Sequence, residues 1–169
     1  MAKRMPVPAI VIAGAFALSS LFAIAFATPK DYLFVEGRIY CDPCRVMFET
    51  KLSQNIAGSK VRLECRNPVN DTVSYSIEAA TDKDGKYLLA VEGDHQDEIC
   101  EIKAVISGNT ECSEIMTGVP GDRPVLTNNV GVVEPVRYAN PLGFMTKNVS
   151  PDCVKALKEM DIVPVDVLF

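Results

Sequence analysis

Two clusters of residues carry types and spacings that could do chemistry. Cys41-Asp42-Pro43-Cys44 sets two thiols two residues apart, the spacing of dithiol redox pairs and of half a thiolate metal site. His95, the single histidine, stands in Glu92-Gly93-Asp94-His95-Gln96-Asp97-Glu98, where imidazole and carboxylates could share proton transfer. Each chemistry sets conditions. A thioredoxin-like pair wants its first thiol at a helix N-terminus, where the dipole lowers its pKa. Here the motif ends an alternating strand pattern, Leu33 to Tyr40. A four-thiolate zinc site needs a second close pair, and Cys100 and Cys112 are too far apart to form one. A Ser-His-Asp or Cys-His triad has only His95 to use, in a polar segment between two strand patterns, which reads as a solvated loop. Glu92, Asp94, Asp97, Glu98 and Glu101 could supply a glycosidase carboxylate pair, but nothing in the pattern buries one of them. Asp82-Lys83-Asp84-Gly85 matches part of a calcium loop. With Gly85 at the sixth position, however, Ala80 and Val91 would fall at the first and last ligand positions, so the match fails. No phosphate-binding glycine loop is present. No catalytic residue, cofactor or metal is expected.

The segment before the first motif is an address. Lys3 and Arg4 precede an apolar run from Ala9 to Ala27, broken only by Gly14, Ser19 and Ser20. It ends in Ala25-Phe26-Ala27, a small-x-small pattern suited to signal peptidase, so residues 1–27 read as a cleaved signal peptide. The run is just long enough to span a bilayer, which makes an uncleaved anchor the alternative. Residues 28–169 are then one secreted domain with no membrane segment. All six cysteines (Cys41, Cys44, Cys65, Cys100, Cys112, Cys153) lie in it, and an even number in an oxidising compartment reads as three disulfides of open connectivity. The whole chain has 17 basic and 22 acidic side chains, and loss of Lys3 and Arg4 makes the remainder still more acidic. No basic cluster exists to neutralise phosphates, which argues against nucleic acid. Apolar residues run through the whole domain, which argues against disorder.

The elements that must position these residues are mostly strands. Leu33 to Tyr40 is β-rich. Val61, Leu63 and Cys65 alternate with polar residues, as do Val73, Tyr75, Ile77 and Ala79. Asp82 to Gly85 is a turn, with Tyr87 to Val91 expected as the hairpin partner of the preceding strand. Cys100, Ile102, Ala104 and Ile106 form one further face. Cys65 and Cys100 both fall on inward faces and are a plausible pair. Prolines 120, 124, 135 and 141 break residues 113–149, leaving Val130 to Val136 as an edge-strand candidate. Ser150-Pro151-Asp152 opens a short C-terminal helix, with Cys153, Ala156, Leu157 and Met160 on one face. Short strands between turn signals predict an all-β sandwich or barrel. Two sequons occur: Asn70-Asp71-Thr72, in a surface-loop setting, and Asn148-Val149-Ser150, where the following Pro151 disfavours use.

Phe34-Val35-Glu36-Gly37-Arg38-Ile39-Tyr40-Cys41-Asp42-Pro43-Cys44-Arg45 resembles the signature of the Ole e 1-like family of plant pollen proteins. Val61 to Cys65, Asp94-His95, Ile99-Cys100-Glu101-Ile102, Asn140-Pro141-Leu142-Gly143-Phe144 and the late Cys153 extend the likeness over residues 30–160. Pro43 departs from the Thr or other small residue common there and leaves the cysteines undisturbed. The resemblance implies the pairing Cys41–Cys112, Cys44–Cys153 and Cys65–Cys100. It also implies a compact antiparallel β-sandwich or barrel of about seven strands. Thr81 to Tyr87 is similar to turns of transthyretin-like sandwiches. The family resemblance further implies a secreted glycoprotein of pollen, associated with tube development and allergenicity, with no catalytic residues to carry over. The expected function is therefore non-catalytic recognition of an extracellular protein, such as a receptor ectodomain, or of a cell-wall component. The alternatives are a thiol–disulfide oxidoreductase using Cys41 and Cys44, and a carbohydrate-active module using the acidic loop around His95 and Glu98.

Overall fold

The computed structural model describes residues 32–118 and 121–162. The signal-peptide reading, over 1–27, and Pro120 lie outside them. In chain order the elements are β1 (Tyr32–Asp42), β2 (Gln54–Asn55), β3 (Lys60–Arg66), β4 (Val73–Ala80), β5 (Lys86–Glu92), β6 (Ile99–Ile106), β7 (Glu114–Ile115), β8 (Val136–Tyr138), β9 (Leu142–Met145) and α1 (Cys153–Glu159). They build two sheets. One is the three-stranded β4-β3-β6; the other is organised around β1. The first half of β1 lies between β5 and β8, and its second half lies between β2 and β9. Strand alternation turns Leu33, Val35, Val61, Leu63, Leu89, Val91 and Ile102 into one buried cluster between the sheets. The fold is all-β with one short helix.

Three local expectations change. First, β5 does not pair with β4; it pairs antiparallel with β1, across the sandwich. Alternation and a turn residue specify a reversal of direction, and a reversal between sheets satisfies both as well as one within a sheet. The end of β4 stays with the smaller sheet because the Thr81 hydroxyl donates to the Ile56 carbonyl at 2.7 Å and the Thr81 N–H to the Ser59 carbonyl at 2.8 Å. The chain then reverses at Gly85 (φ +74°), where the Asp82 carboxylate accepts the Asp84 and Lys86 N–H groups, each at 2.9 Å. Second, β8 and β9 run parallel to β1, so the larger sheet is mixed rather than wholly antiparallel. Parallel neighbours need a long crossover, and residues 43–135, which carry β5 and the whole smaller sheet, lie between β1 and β8. The edge-strand candidate Val130 to Val136 is strand only at Val136, where β8 begins and runs on to Tyr138 along β1. Third, the helix begins later than the Ser150 signal, with Asp152 in the cap position and making no side-chain cap bond. Ser150 instead accepts the Cys153 N–H at its carbonyl, 3.1 Å away. Cys153, Ala156 and Leu157 form the buried face.

Candidate functional site

The first chemical cluster sits where β1 ends. Cys41 and Cys44 are not joined to each other. Cys41 is bonded to Cys112, Cys44 to Cys153 and Cys65 to Cys100, so that no described cysteine is free. Cys65 and Cys100 are register partners on β3 and β6, which brings their side chains to the same inward face. The Cys41–Cys44 loop contains no helix start, so the dipole that activates a redox thiol is missing there. What organises the loop is Asp42, which is fully buried. Its carboxylate accepts the N–H of Cys44 at 2.9 Å and of Met47 at 2.8 Å, fixing a loop in which Arg45 (φ +57°) and Met47 (φ +64°) are left-handed. Arg45 ties it outward to Glu114 at 2.6 Å and to the Thr146 carbonyl.

The second cluster corrects the reading of His95. Its side chain is only 9% exposed, so it is not a solvated loop residue. Nδ1 meets Glu98 Oε2 at 2.6 Å, Nε2 meets the Glu92 carbonyl at 3.1 Å, and the ring lies 4.7 Å from that of Tyr75. The ring and Glu98 cover the Cys65–Cys100 bond, their polar atoms lying within 4.8 Å of the sulfurs and of each other. That quartet has metal-ligand types, but both sulfurs are spent in a disulfide, which leaves one imidazole and one carboxylate.

The acids do not assemble into a hydrolytic pair. The Ser74 hydroxyl and His95 hold the Glu98 carboxyl below its ordinary range. Lys103, 2.6 Å from Glu101, does the same there. A glycosidase acid needs the opposite shift. Asp94 is turned into structure, accepting from the Gln96 N–H and the Thr127 hydroxyl, each at 2.9 Å. Asp82 is likewise held low by its backbone bonds to Lys86 and Asp84.

Sequence reasoning passed over Arg137, a buried cation on β8. Its guanidinium donates to the carbonyls of Val125 (3.2 Å), Thr127 (3.0 Å), Val136 (3.3 Å) and Glu134. One side chain thus replaces the ladder bonds that the proline-rich stretch cannot make. A single arginine following Pro135 in an apolar setting is the only sequence trace of it. Of the sequons, Asn70 is exposed and its Oδ1 accepts both the Thr72 N–H (3.1 Å) and the Thr72 hydroxyl (2.7 Å). Asn148 is exposed too, but the backbone N–H of Ser150 is committed to the Pro43 carbonyl at 2.9 Å.

Comparison with known proteins agrees with this architecture. A family described as "Pollen protein Ole e 1 like" matches residues 31–161. The chain is 47% identical over 161 residues to an Olee1-like protein of Betula pendula, covering 94% of this chain and 97% of the relative. It is 43% identical to the anther-specific protein LAT52 of Solanum lycopersicum, covering 94% of this chain and 98% of that one. The crystal structure of the major plantain pollen allergen Pla l 1 superposes with a TM-score of 0.66 at 38% identity, covering 72% of this chain and 99% of the allergen. The six-cysteine framework, the β1 signature and these matches converge: the chain belongs to the Ole e 1-like family of pollen proteins.

Proposed function

We propose that residues 28–169 form a secreted, N-glycosylated and non-catalytic recognition protein of the pollen extracellular matrix, released by removal of residues 1–27. Its partner is an extracellular protein such as a receptor ectodomain, or a cell-wall component, and its setting is pollen development or tube growth. The observation that carries this reading is family membership across nearly the whole chain, joined to a cysteine set with no free thiol among the described residues. Such a framework suits an oxidising compartment. No described helix is long and apolar enough to cross a membrane. Against the two enzymatic alternatives stand the Glu98 carboxyl, held below its ordinary range beside His95, and the absence of a free thiol among the described residues.

The test is expression in plant cells. Secreted protein should begin at Thr28, and a start at Met1 would overturn the secretion reading. Proteolytic peptide mapping should recover Cys41–Cys112, Cys44–Cys153 and Cys65–Cys100. Peptide-N-glycosidase should shift the mass of the wild type but not of Asn70→Gln, with Asn148 at most weakly used. The same preparation should reduce no insulin and hydrolyse no wall glycan; either activity would replace recognition with catalysis. Saturable binding to a pistil or pollen-tube surface component, lost on reduction of the disulfides, completes the expected result.

A further inference from the structure

A cavity of about 450 Å³ opens between β6 and the β7–β9 pair, bordered by Tyr40 and Met47 beside the first cluster and by Glu101. That volume falls in the range of small-molecule sites. Tyr40, Met47, Ala104, Ile115, Met116 and Leu142 give it an apolar lining. Gly143 also lines it, beneath two of these side chains. A Cβ there would overlap Met116 and come within 2.8 Å of Tyr40 Cζ, so the glycine lets ring and thioether lie flat on β9. Two methionine thioethers and a tyrosine ring make a wall suited to another aromatic ring.

The polar groups are few and specific. Tyr40 is 4% exposed, yet its hydroxyl has no hydrogen-bond partner among the described residues and is not sealed from solvent. Burial, then Asp42 and Glu49, push its pKa up to about 12, so it stays a donor at neutral pH. On β6, Ile102 exchanges both its peptide bonds with Asp122 at the outer edge. Strand alternation turns the Ala104 peptide group to the same edge, at the cavity. At the rim Lys103 and Glu101 lie 2.6 Å apart and cancel each other, so the cavity offers a ligand no net charge. A charged guest would enter without compensation.

We infer that this cavity binds an uncharged, planar aromatic small molecule whose single polar group hydrogen-bonds the Tyr40 hydroxyl. This goes beyond recognition of a macromolecule, and its test does not depend on that reading. N-phenyl-1-naphthylamine, a neutral aromatic amine that brightens in apolar surroundings, is the probe. The chain has no tryptophan to interfere with its emission. One saturable site is expected on the oxidised protein. Tyr40→Phe, which keeps the ring, should weaken binding about five-fold, the worth of one hydrogen bond. Ile115→Asp changes an exposed side chain at the cavity, leaves the core alone and should weaken it about ten-fold or more. The sulfonated analogue 8-anilinonaphthalene-1-sulfonate should bind about ten-fold more weakly than the neutral probe. Failure of the neutral probe to saturate, indifference to both substitutions, or equal affinity for the sulfonate each overturns the inference. So does a dimer by light scattering that excludes the probe, which would make a second copy the occupant.

Discussion

Gly37 makes room in β1 for a single ring. A Cβ at that position would overlap the phenol of Tyr87, which is 2% exposed, and the Tyr87 hydroxyl is buried without a hydrogen-bond partner. Burial, with Asp122 nearby, keeps that hydroxyl protonated. The two residues face each other across the β1–β5 register. Gly37→Ala should therefore destabilise the protein by about 1–3 kcal/mol through overpacking. Tyr87→Phe should leave it as stable or raise it by about 1 kcal/mol, because an unsatisfied polar atom is removed while the ring stays. Urea unfolding of the oxidised protein measures both; a large loss for Tyr87→Phe would show that the hydroxyl has a partner in solution. Alternation in the sequence located this strand and its inward face, but could not name the ring lying on Gly37, which arrives from β5 some fifty residues later. His95 was illegible for the same reason. Its sequence neighbours are polar, and the groups that bury it, Tyr75 and the Cys65–Cys100 bond, come from other strands.

At the scale of elements, α1 is the least self-sufficient part. Seven residues are far too few for an isolated helix, and α1 has no side-chain cap. It is held by the Cys44–Cys153 bond, the buried Ala156 and Leu157, and an exposed pair between Lys51 and Glu159 at 3.2 Å. Exposed pairs of this kind contribute little. In a Cys44→Ala/Cys153→Ala protein the amides of α1 should exchange with solvent at nearly unfolded rates. Those of β3, paired on both sides, should stay protected. Equal loss in both places would mean that the bond supports the whole sandwich rather than one element. The helix itself was legible from its apolar spacing. Its start was not, because Ser150 signals a cap that the chain uses instead as a carbonyl acceptor. The pairing of β5 was equally hidden, since two-residue periodicity fixes which face a residue takes and not which strand lies beside it.

Over the whole molecule, acidity sets the direction of pH dependence. Arg66 holds Glu64 below its ordinary range, Ser74 and His95 hold Glu98 there, and Lys103 holds Glu101 there. Carboxylates with lowered folded pKa values add stability that is complete above their unfolded values, at about pH 4–5, and is lost as pH falls through the folded values. The thermal midpoint should thus be flat near neutrality and fall below about pH 5, less steeply in Glu98→Gln. A midpoint that rises on acidification would contradict the assignment. The all-β class, as a sandwich or a barrel, and its inward faces could be read from periodicity and turn signals. The mixed pairing around β1 could not, because nothing local to β1 announces neighbours from the far end of the chain. That placement also has a cost in time. Among the described residues β1 is the first strand to be synthesised, yet its parallel neighbours β8 and β9 come about a hundred residues later; the partner of Cys41 comes 71 residues after it and that of Cys44, just past the strand, 109 residues after it. At ordinary translation speeds this is a wait of about 5–20 s. Through it β2 and β5 can cover one edge of β1, while the edge meant for β8 and β9 stays bare and Cys44 still lacks its native partner. The edges that β8 and β9 will cover invite mispairing until those strands arrive, and any Cys41–Cys44 bond made too early must be exchanged before the native pairs can form.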